Sequence, residues 1–340
     1  MKSLRNKLMP LIAAGAAVAL LSGCEVPIGM EAEQIGYRGT GMEEVNNPRL
    51  QAKLLEANQI PEPQPPASQS GPKAGDVYEN VKVLGDLSVA EFNRLMNAIT
   101  EWVAPVEGCH YCHDGDNWAA EAPYTKMVSR EMLKLTRHIN SQWTSHVAQT
   151  GVTCYTCHRG NPIPENTWRT HGEPPQAGGF AANRYGMNLG SASVMYASLP
   201  YDPFTPFLKG DKDIPIVPLE ALPQRLGEGE QRVSFMDTYQ TYGLMMHISG
   251  ALGVNCTYCH NSRSFLTEET TPKHSLALIG IRMARDINTS QLEPMAGLYP
   301  EEVLAAHGGE VAKVNCLSCH QGVFKPLYGQ SMLKDYKGLN

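Results

Sequence analysis

A five-residue pattern, Cys-x-x-Cys-His, occurs four times in this chain and uses eight of its nine cysteines. We number the copies motif one (Cys109, Cys112, His113), motif two (Cys154, Cys157, His158), motif three (Cys256, Cys259, His260) and motif four (Cys316, Cys319, His320). The pattern is the attachment signature of c-type haem, in which two thiols bind the vinyl groups of the porphyrin and the imidazole binds the iron. One copy alone would also fit a zinc ligand pair or a redox dithiol. Four copies that all carry the His predict a tetrahaem cytochrome c with four covalently bound haems.

The first 23 residues have the form of a signal peptide, with a basic start and an apolar run over residues 8–21 that is too short to span a membrane confidently. The run ends in Leu21-Ser22-Gly23-Cys24, which resembles the bacterial lipobox, and Cys24 is the one cysteine outside the motifs. We therefore expect export, and lipidation of Cys24 that anchors the mature chain at a membrane surface. An uncleaved signal anchor is the alternative.

Composition limits what surrounds the haems. Only 7% of the residues are aromatic, while Gly supplies 31 and Pro 24. Four haems would provide the buried apolar surface that the side chains lack. The net charge of −6 makes nucleic acid an unexpected partner. Residues 24–76 are polar and Pro-rich, which predicts an extended arm that is either disordered or laid along a partner surface.

Two short segments repeat. Residues 95–100 (LMNAIT) match 244–249 (LMMHIS), and residues 137–140 (RHIN) match 285–288 (RDIN). The repeats predict two pseudo-symmetric two-haem halves, residues 77–170 and 231–340 with the C-terminal tail, joined by a Pro-rich connector over 171–230. A capping box at Ser88 to Glu91 predicts a helix that Pro105 ends. Further helices are predicted over 129–142 and 234–249. The expected fold is therefore mainly α, with little sheet and long irregular connections.

Each motif follows a helix, so a Met on the apolar face of that helix is a candidate sixth iron ligand. Met96 precedes motif one and Met245, its partner in the repeat, precedes motif three. A Met on an apolar face is usually a core residue, but the repeat pairing favours ligation. Met246 is the alternative for the third haem.

Before motif two, we favour Met132 over Met127 as the ligand. The repeat places Gly280 where Met132 would recur, so the fourth haem lacks this Met and needs another donor. Met283 is one candidate. The others are the histidines outside the motifs: His138, His146, His171, His274 and His307. From the residues alone, His146 is as good a candidate for the sixth ligand of haem four as all the other donors together.

The residues around motif two resemble a known family. Residues 144–160 (TSHVAQTGVTCYTCHRG) closely resemble the second haem segment of the tetrahaem cytochrome subunit of purple-bacterial photosynthetic reaction centres. The resemblance extends to residues 77–85, 99–103, 201–205, 325–329 and 333–336. It covers most of the chain from Val77 onward, whereas residues 25–76 and 171–195 resemble the family only loosely.

The resemblance implies Met96, Met132 and Met245 as sixth ligands of haems one to three, and His146 as sixth ligand of haem four. It implies a mainly helical fold with two haem pairs in a roughly linear row. It also implies docking on the periplasmic face of the reaction-centre core, in the photosynthetic membrane. Electrons would come from a soluble periplasmic cytochrome c or high-potential iron-sulfur protein and re-reduce the photo-oxidised bacteriochlorophyll pair.

Two other functions fit the motifs. A multihaem reductase would need a five-coordinate haem, and some such families replace the motif His by Lys, which none of the four motifs does. Here every iron can be assigned two protein ligands, so we expect an electron-transfer subunit and no enzyme. A conduit to another membrane complex is the second alternative.

Overall fold

The computed structural model describes residues 29–170, 178–182, 185–212, 214, 235–263, 265 and 271–340. The expected signal peptide, Cys24 and His171 lie outside these residues. The helices are α1 (Pro48–Ala57), α2 (Ala74–Val77), α3 (Val89–Val103), α4 (Tyr124–Gln142), α5 (Thr144–Val147), α6 (Cys154–His158), α7 (Phe235–Leu252), α8 (Pro272–Asp286), α9 (Glu301–Ala305) and α10 (Cys316–His320). Two small antiparallel sheets pair β1 (Glu31–Gln34) with β2 (Glu43–Asn46) and β3 (Thr167–Trp168) with β4 (Lys313–Val314). The mainly helical fold with little sheet is confirmed.

Helix α3 begins where the capping box predicts. The Ser88 hydroxyl accepts a hydrogen bond from the Glu91 N–H at 3.1 Å, which satisfies one of the unpaired donors of the first turn. The helix ends at Val103, two residues before Pro105. Helix α4 begins five residues before the predicted start, directly after Pro123. Helix α7 extends to Leu252, past the predicted end.

The repeat is visible as equivalent hydrogen bonds in the two halves. The Asn140 side chain donates to the Val152 carbonyl at 3.0 Å and accepts from the Val152 N–H at 2.8 Å. Asn288 makes the same pair of bonds with Val314, at 2.9 and 2.8 Å. Each bonded Val lies two residues before a haem motif. In each half, an Asn side chain therefore holds the residues that lead into the second motif with the same pair of hydrogen bonds.

The halves also meet through repeat-equivalent residues. His138 and Asp286 occupy matching positions in the RHIN and RDIN segments, and their side chains are 2.7 Å apart. The Trp143 indole N–H donates to the same Asp286 oxygen at 2.9 Å. A residue that contacts its own repeat equivalent lies close to the pseudo-twofold axis, so this pair marks the junction of the halves.

The C-terminal tail packs on the first half, although the sequence assigned it to the second. Leu333 and Leu339 are buried in one cluster with Leu95 and Trp102 of helix α3. The connector residue Phe207 is buried in the second half, in a cluster with Leu244 of helix α7. The tail therefore covers a face of α3, and the connector covers a face of α7. Because the tail follows the second half in sequence, it crosses from one half to the other.

The arm also differs from the expected extended segment, since it contains helix α1. Asn47 is the N-cap, its side-chain oxygen accepts from the Arg49 N–H at 3.1 Å, and Pro48 is the first helical residue. Asn followed by Pro is a sequence signal for a helix start. The helix is stabilised by contact with the body, because the Leu54 side chain packs against Gly322 after motif four.

The arm packs against the rest of this chain, beside two of the motifs. Strand β2 bonds to the start of motif three, where Asn255 Oδ1 accepts from the Val45 N–H at 3.0 Å. Further along, Asn58 accepts from the Arg159 guanidinium at 3.0 Å beside motif two. Within the described residues, none of the helices is long and apolar enough to cross a bilayer.

Candidate haem-binding sites

One cavity of about 640 Å³ joins three of the four motifs. Cysteines and the His of motifs one, two and four line it, together with residues predicted as sixth ligands: Met96, Met132 and His146. Met283 and His307, which were alternative donors for haem four, also line it. Among the described residues that line this cavity, neither motif three nor Met245 is included. Met245 instead packs, partly buried, against the core of the second half.

Three motif histidines are oriented by backbone carbonyls. His158 Nδ1 lies 2.8 Å from the Asn161 oxygen, His320 Nδ1 lies 3.1 Å from the Val323 oxygen, and His113 Nδ1 lies 3.4 Å from the Trp118 oxygen. A carbonyl only accepts, so Nδ1 carries the proton in each ring and Nε2 keeps a free lone pair. This is the usual arrangement of a metal-binding His. The donor set at these sites therefore fits iron ligation.

His260 of motif three differs. Its buried Nδ1 atom makes no hydrogen bond of normal distance and angle with any of the described residues. Its ring lies 5.1 Å from the ring of His274. Residues 264 and 266–270, close to it in sequence, lie outside the described part of the chain.

Motifs two and four form short helices with reciprocal caps. In α6 the Thr156 hydroxyl accepts from the Thr153 N–H at 3.0 Å, and in α10 the Ser318 hydroxyl accepts from the Asn315 N–H at 3.0 Å. These contacts hold the two cysteines of each motif on one helical turn. Motifs one and three begin in tighter 3₁₀ turns over Gly108–Tyr111 and Cys256–Tyr258.

The structure joins Cys157 of motif two and Cys319 of motif four in a disulfide, with their Cα atoms 4.5 Å apart. This differs from the prediction that each sulfur forms a thioether to its own haem, because one sulfur cannot do both. The pairing arises because α6 and α10 pack directly on each other, near the pseudo-twofold axis. Haem attachment at these two cysteines stays a prediction that requires both thiols to be free.

His146 reaches from the first half to motif four in the second. Its ring centre lies 6.1 Å from that of His320, with the ring planes at 72°. Two imidazoles on opposite sides of a metal, each with a bond of about 2 Å, have ring centres roughly 6 Å apart. The His146 Nδ1 lies 3.2 Å from the Leu276 carbonyl, which leaves Nε2 as the free donor. This spacing fits one iron between the two rings.

Gly280 makes room for that ring. A Cβ at position 280 would lie 2.7 Å from His146 Cε1, closer than van der Waals contact permits. The repeat replaces Met132 by Gly here, and the structure gives the physical reason: the space of a side chain on α8 is taken by an imidazole from α5.

Comparison with known proteins identifies the family. A family model described as the photosynthetic reaction centre cytochrome C subunit matches residues 25–340. The chain is 50% identical to the photosynthetic reaction center cytochrome c subunit of Rubrivivax gelatinosus over 99% of this chain and 90% of that protein. It is 49% identical to the protein of the same name from Thermochromatium tepidum, over 97% of this chain and 80% of that one. The chain belongs to the reaction-centre cytochrome c subunit family.

In this cytochrome subunit, burial keeps the motif histidines neutral. Desolvation lowers the pKa of His158, and it lowers the pKa of His320 to about 4. Desolvation also lowers the pKa of His146. Neutral imidazole is the form that binds a metal, because the Nε2 lone pair is then available at neutral pH.

The turn that follows motifs two and four of this cytochrome subunit was not predicted from the sequence. Gly160 and Gly322, two residues after the His of motifs two and four, have φ of 85° and 86°. Their positive φ turns the chain back, so that the carbonyls of Asn161 and Val323 reach the His Nδ1 atoms. A Gly at this spacing after the motif was the available signal.

Proposed function

We propose that this cytochrome subunit carries four haems in a row and passes electrons through them to the photo-oxidised bacteriochlorophyll pair of the reaction centre. Bound haem supplies the one-electron couple. The protein would attach each haem through two cysteines and would hold each iron between two side chains. The pairs are His113 with Met96, His158 with Met132, His260 with Met245, and His320 with His146. Filled axial positions disfavour substrate and oxygen chemistry.

The continuous cavity is the observation that carries this proposal. Motifs two and four both line it, and their helices α6 and α10 contact each other. Motif one lies in the same cavity against α3, while motif three lies beyond it. We propose that the order along the row is one, two, four, three. Haems held at neighbouring sites of one apolar cavity would be separated by little protein, which favours direct electron transfer.

The ends of the row are accessible. Cys109 of motif one and Cys256 of motif three are exposed, whereas the cysteines of the two central motifs are more buried. Val106 and Trp118, beside motif one, are 91% and 55% exposed. An exposed apolar surface of this kind suits brief contact with a soluble periplasmic cytochrome c or high-potential iron-sulfur protein.

The arm indicates which end of the haem row lies nearer the membrane. Its hairpin is bonded to motif three, and Cys24 lies only five residues before Gly29, where the described chain begins. An extended chain covers roughly 3.5 Å per residue, so a lipid on Cys24 would keep Ala32, which pairs with Val45 beside motif three, within roughly 28 Å of the membrane surface. Haem three would then face the pigment pair, and haem one would face the soluble donor.

The anchor is tested at the mature N-terminus. We expect mass spectrometry of the purified subunit to find a chain that begins at Cys24 and carries lipid. A Cys24→Ser variant should be released from washed membranes if the core contact alone is weak. A chain that still begins at Met1 with an unmodified Cys24 would contradict the anchor and support a signal anchor.

The function is tested by a light flash. We expect the c-type haem absorption band to show oxidation in step with re-reduction of the pigment pair in membranes that contain this subunit. The reduced protein should not bind carbon monoxide, because no iron has an open position. Carbon monoxide binding would favour the reductase. Absence of flash-induced haem oxidation, with four haems attached, would favour a conduit to another complex.

A further inference from the structure

A buried lysine stands beside motif one. Lys126, in the first turn of α4, is only 6% exposed. Its Nζ donates to the Trp118 carbonyl at 2.7 Å and to the Ala120 carbonyl at 2.6 Å. Among the described residues, both of these partners are neutral backbone groups. A buried ammonium without a carboxylate partner is costly, which makes its position notable.

The Trp118 carbonyl has two donors. It accepts from Lys126 at 2.7 Å, and His113 Nδ1 lies 3.4 Å from the same oxygen. The corresponding contacts of His158 and His320 are shorter, at 2.8 and 3.1 Å, and their acceptors are the carbonyls of Asn161 and Val323. The proximal His of motif one therefore has the weakest support of the three, and its acceptor is shared with a cation.

One other cation lies close to Lys126, and it forms an ion pair with a carboxylate. Arg130 lies one turn along α4 and contacts Glu121 at 2.5 Å. The positive charges of Lys126 and Arg130 both act on the His113 imidazole, after the larger effect of desolvation, to lower its pKa. Glu121 pairs with Arg130 and also acts on Lys126, and of the two cations Lys126 is the one that donates to the carbonyl behind His113.

We infer that Lys126 is a positioning residue that raises the reduction potential of haem one, by placing a buried positive charge beside it and by drawing the Trp118 carbonyl away from His113. Both effects have the same sign. A fixed positive charge disfavours the more positive, oxidised iron. A weaker hydrogen bond from His113 Nδ1 makes the imidazole a poorer electron donor, which also favours the reduced iron.

This inference rests on the proposed haem at motif one, and it concerns the haem that would face the soluble donor. At the matching position of the second half, the repeat places His274, whose ring packs on His260. The two outer haems therefore differ on their proximal sides: one has a buried ammonium and the other an imidazole. The chain would tune the two ends of the row separately.

The test is a redox titration of the assembled subunit with Lys126→Met. We expect one haem to shift to lower potential, by up to about tenfold in its oxidised-to-reduced ratio at fixed ambient potential, or about 59 mV for one electron. The other three should not move, and four haems should remain attached by mass. The shift should persist at high salt, because a buried charge is poorly screened.

Haem one is identified as the component missing from a Cys109→Ser/Cys112→Ser double variant or, if that variant does not assemble, as the component shifted by Met96→His. Lys126→Arg keeps the charge and should restore most of the potential. Lys126→Gln keeps donors for the two carbonyls without the charge, and it provides the same measurement if the Met variant does not assemble.

Two controls separate charge from loop anchoring. Asn80 holds the same loop, since its side chain donates to the Ala119 carbonyl at 2.5 Å, and its φ of 63° is one that Gly adopts freely. Asn80→Gly should loosen the loop, and any shift of haem one should be much smaller than in the Lys126 variants. Lys134→Met removes an exposed cation from the same helix and should have no effect on the potential of haem one.

An unshifted haem one in the Lys126 variants, or an equal shift in Asn80→Gly, would overturn the inference. A missing haem at motif one in the wild type would instead refute the proposed function.

Discussion

Replacing His146 by Met is expected to convert one haem of four from bis-His to His/Met ligation and to raise its reduction potential. Thioether sulfur stabilises reduced iron relative to a second imidazole, and axial ligands span a range of roughly 0.8 V in haem proteins. Low-temperature electron paramagnetic resonance of the oxidised wild type should show three His/Met irons and one bis-His iron. In His146→Met the bis-His signal should disappear, while all four haems stay covalently attached.

Two further variants make the assignment specific. Gly280→Ala should disturb the same haem, because the added Cβ would lie 2.7 Å from His146 Cε1. His307→Gln is the matched control, since His307 lines the same cavity and was an alternative donor. It should leave every signal unchanged. Four His/Met signals in the wild type would contradict the assignment and make Met283 the better donor.

Loss of the Asn288 side-chain amide is expected to destabilise the second half strongly. Asn288 is fully buried, donates to the Leu208 and Val314 carbonyls at 2.9 Å each, and accepts from the Val314 N–H at 2.8 Å. Asn288→Leu keeps the branched shape of the side chain but leaves these groups unpaired, at about 1–3 kcal/mol for each buried polar group. We expect the free energy of unfolding to fall by about 3 kcal/mol or more. The midpoint of thermal unfolding, followed by circular dichroism of the haem band, should fall by roughly 6 °C or more.

Asn140→Leu is the matched variant in the other half. Asn140 makes the equivalent bonds to Val152 and to the Leu339 carbonyl, but it is only half-buried. Water can replace part of its bonding, so the expected loss is smaller. A larger loss for Asn140→Leu than for Asn288→Leu would show that burial does not control the difference. Lys134→Ala, on the exposed face of α4, should change little.

The sequence by itself determined the local chemistry. The spacing of two thiols and one imidazole is a property of five adjacent residues, so all four motifs could be recognised without the fold. The capping box at Ser88 and the stop at Pro105 are equally local, which is why α3 was placed correctly. The absence of a Met at Gly280 also indicated that haem four differs from the others.

Tertiary structure decided everything that depends on contacts between distant segments. The contact of His146 with His320 spans 174 positions of the chain, so the residues alone left His146 among several candidate histidines and only the family resemblance distinguished it. The tail crosses to the first half because Leu333 and Leu339 complete a cluster around α3. Helix α1 of the arm is stabilised because its Leu54 side chain packs against Gly322, which follows motif four. Local chemistry is encoded by neighbours in sequence, whereas the partner that completes a buried surface or a ligand pair is fixed only when the two halves pack together.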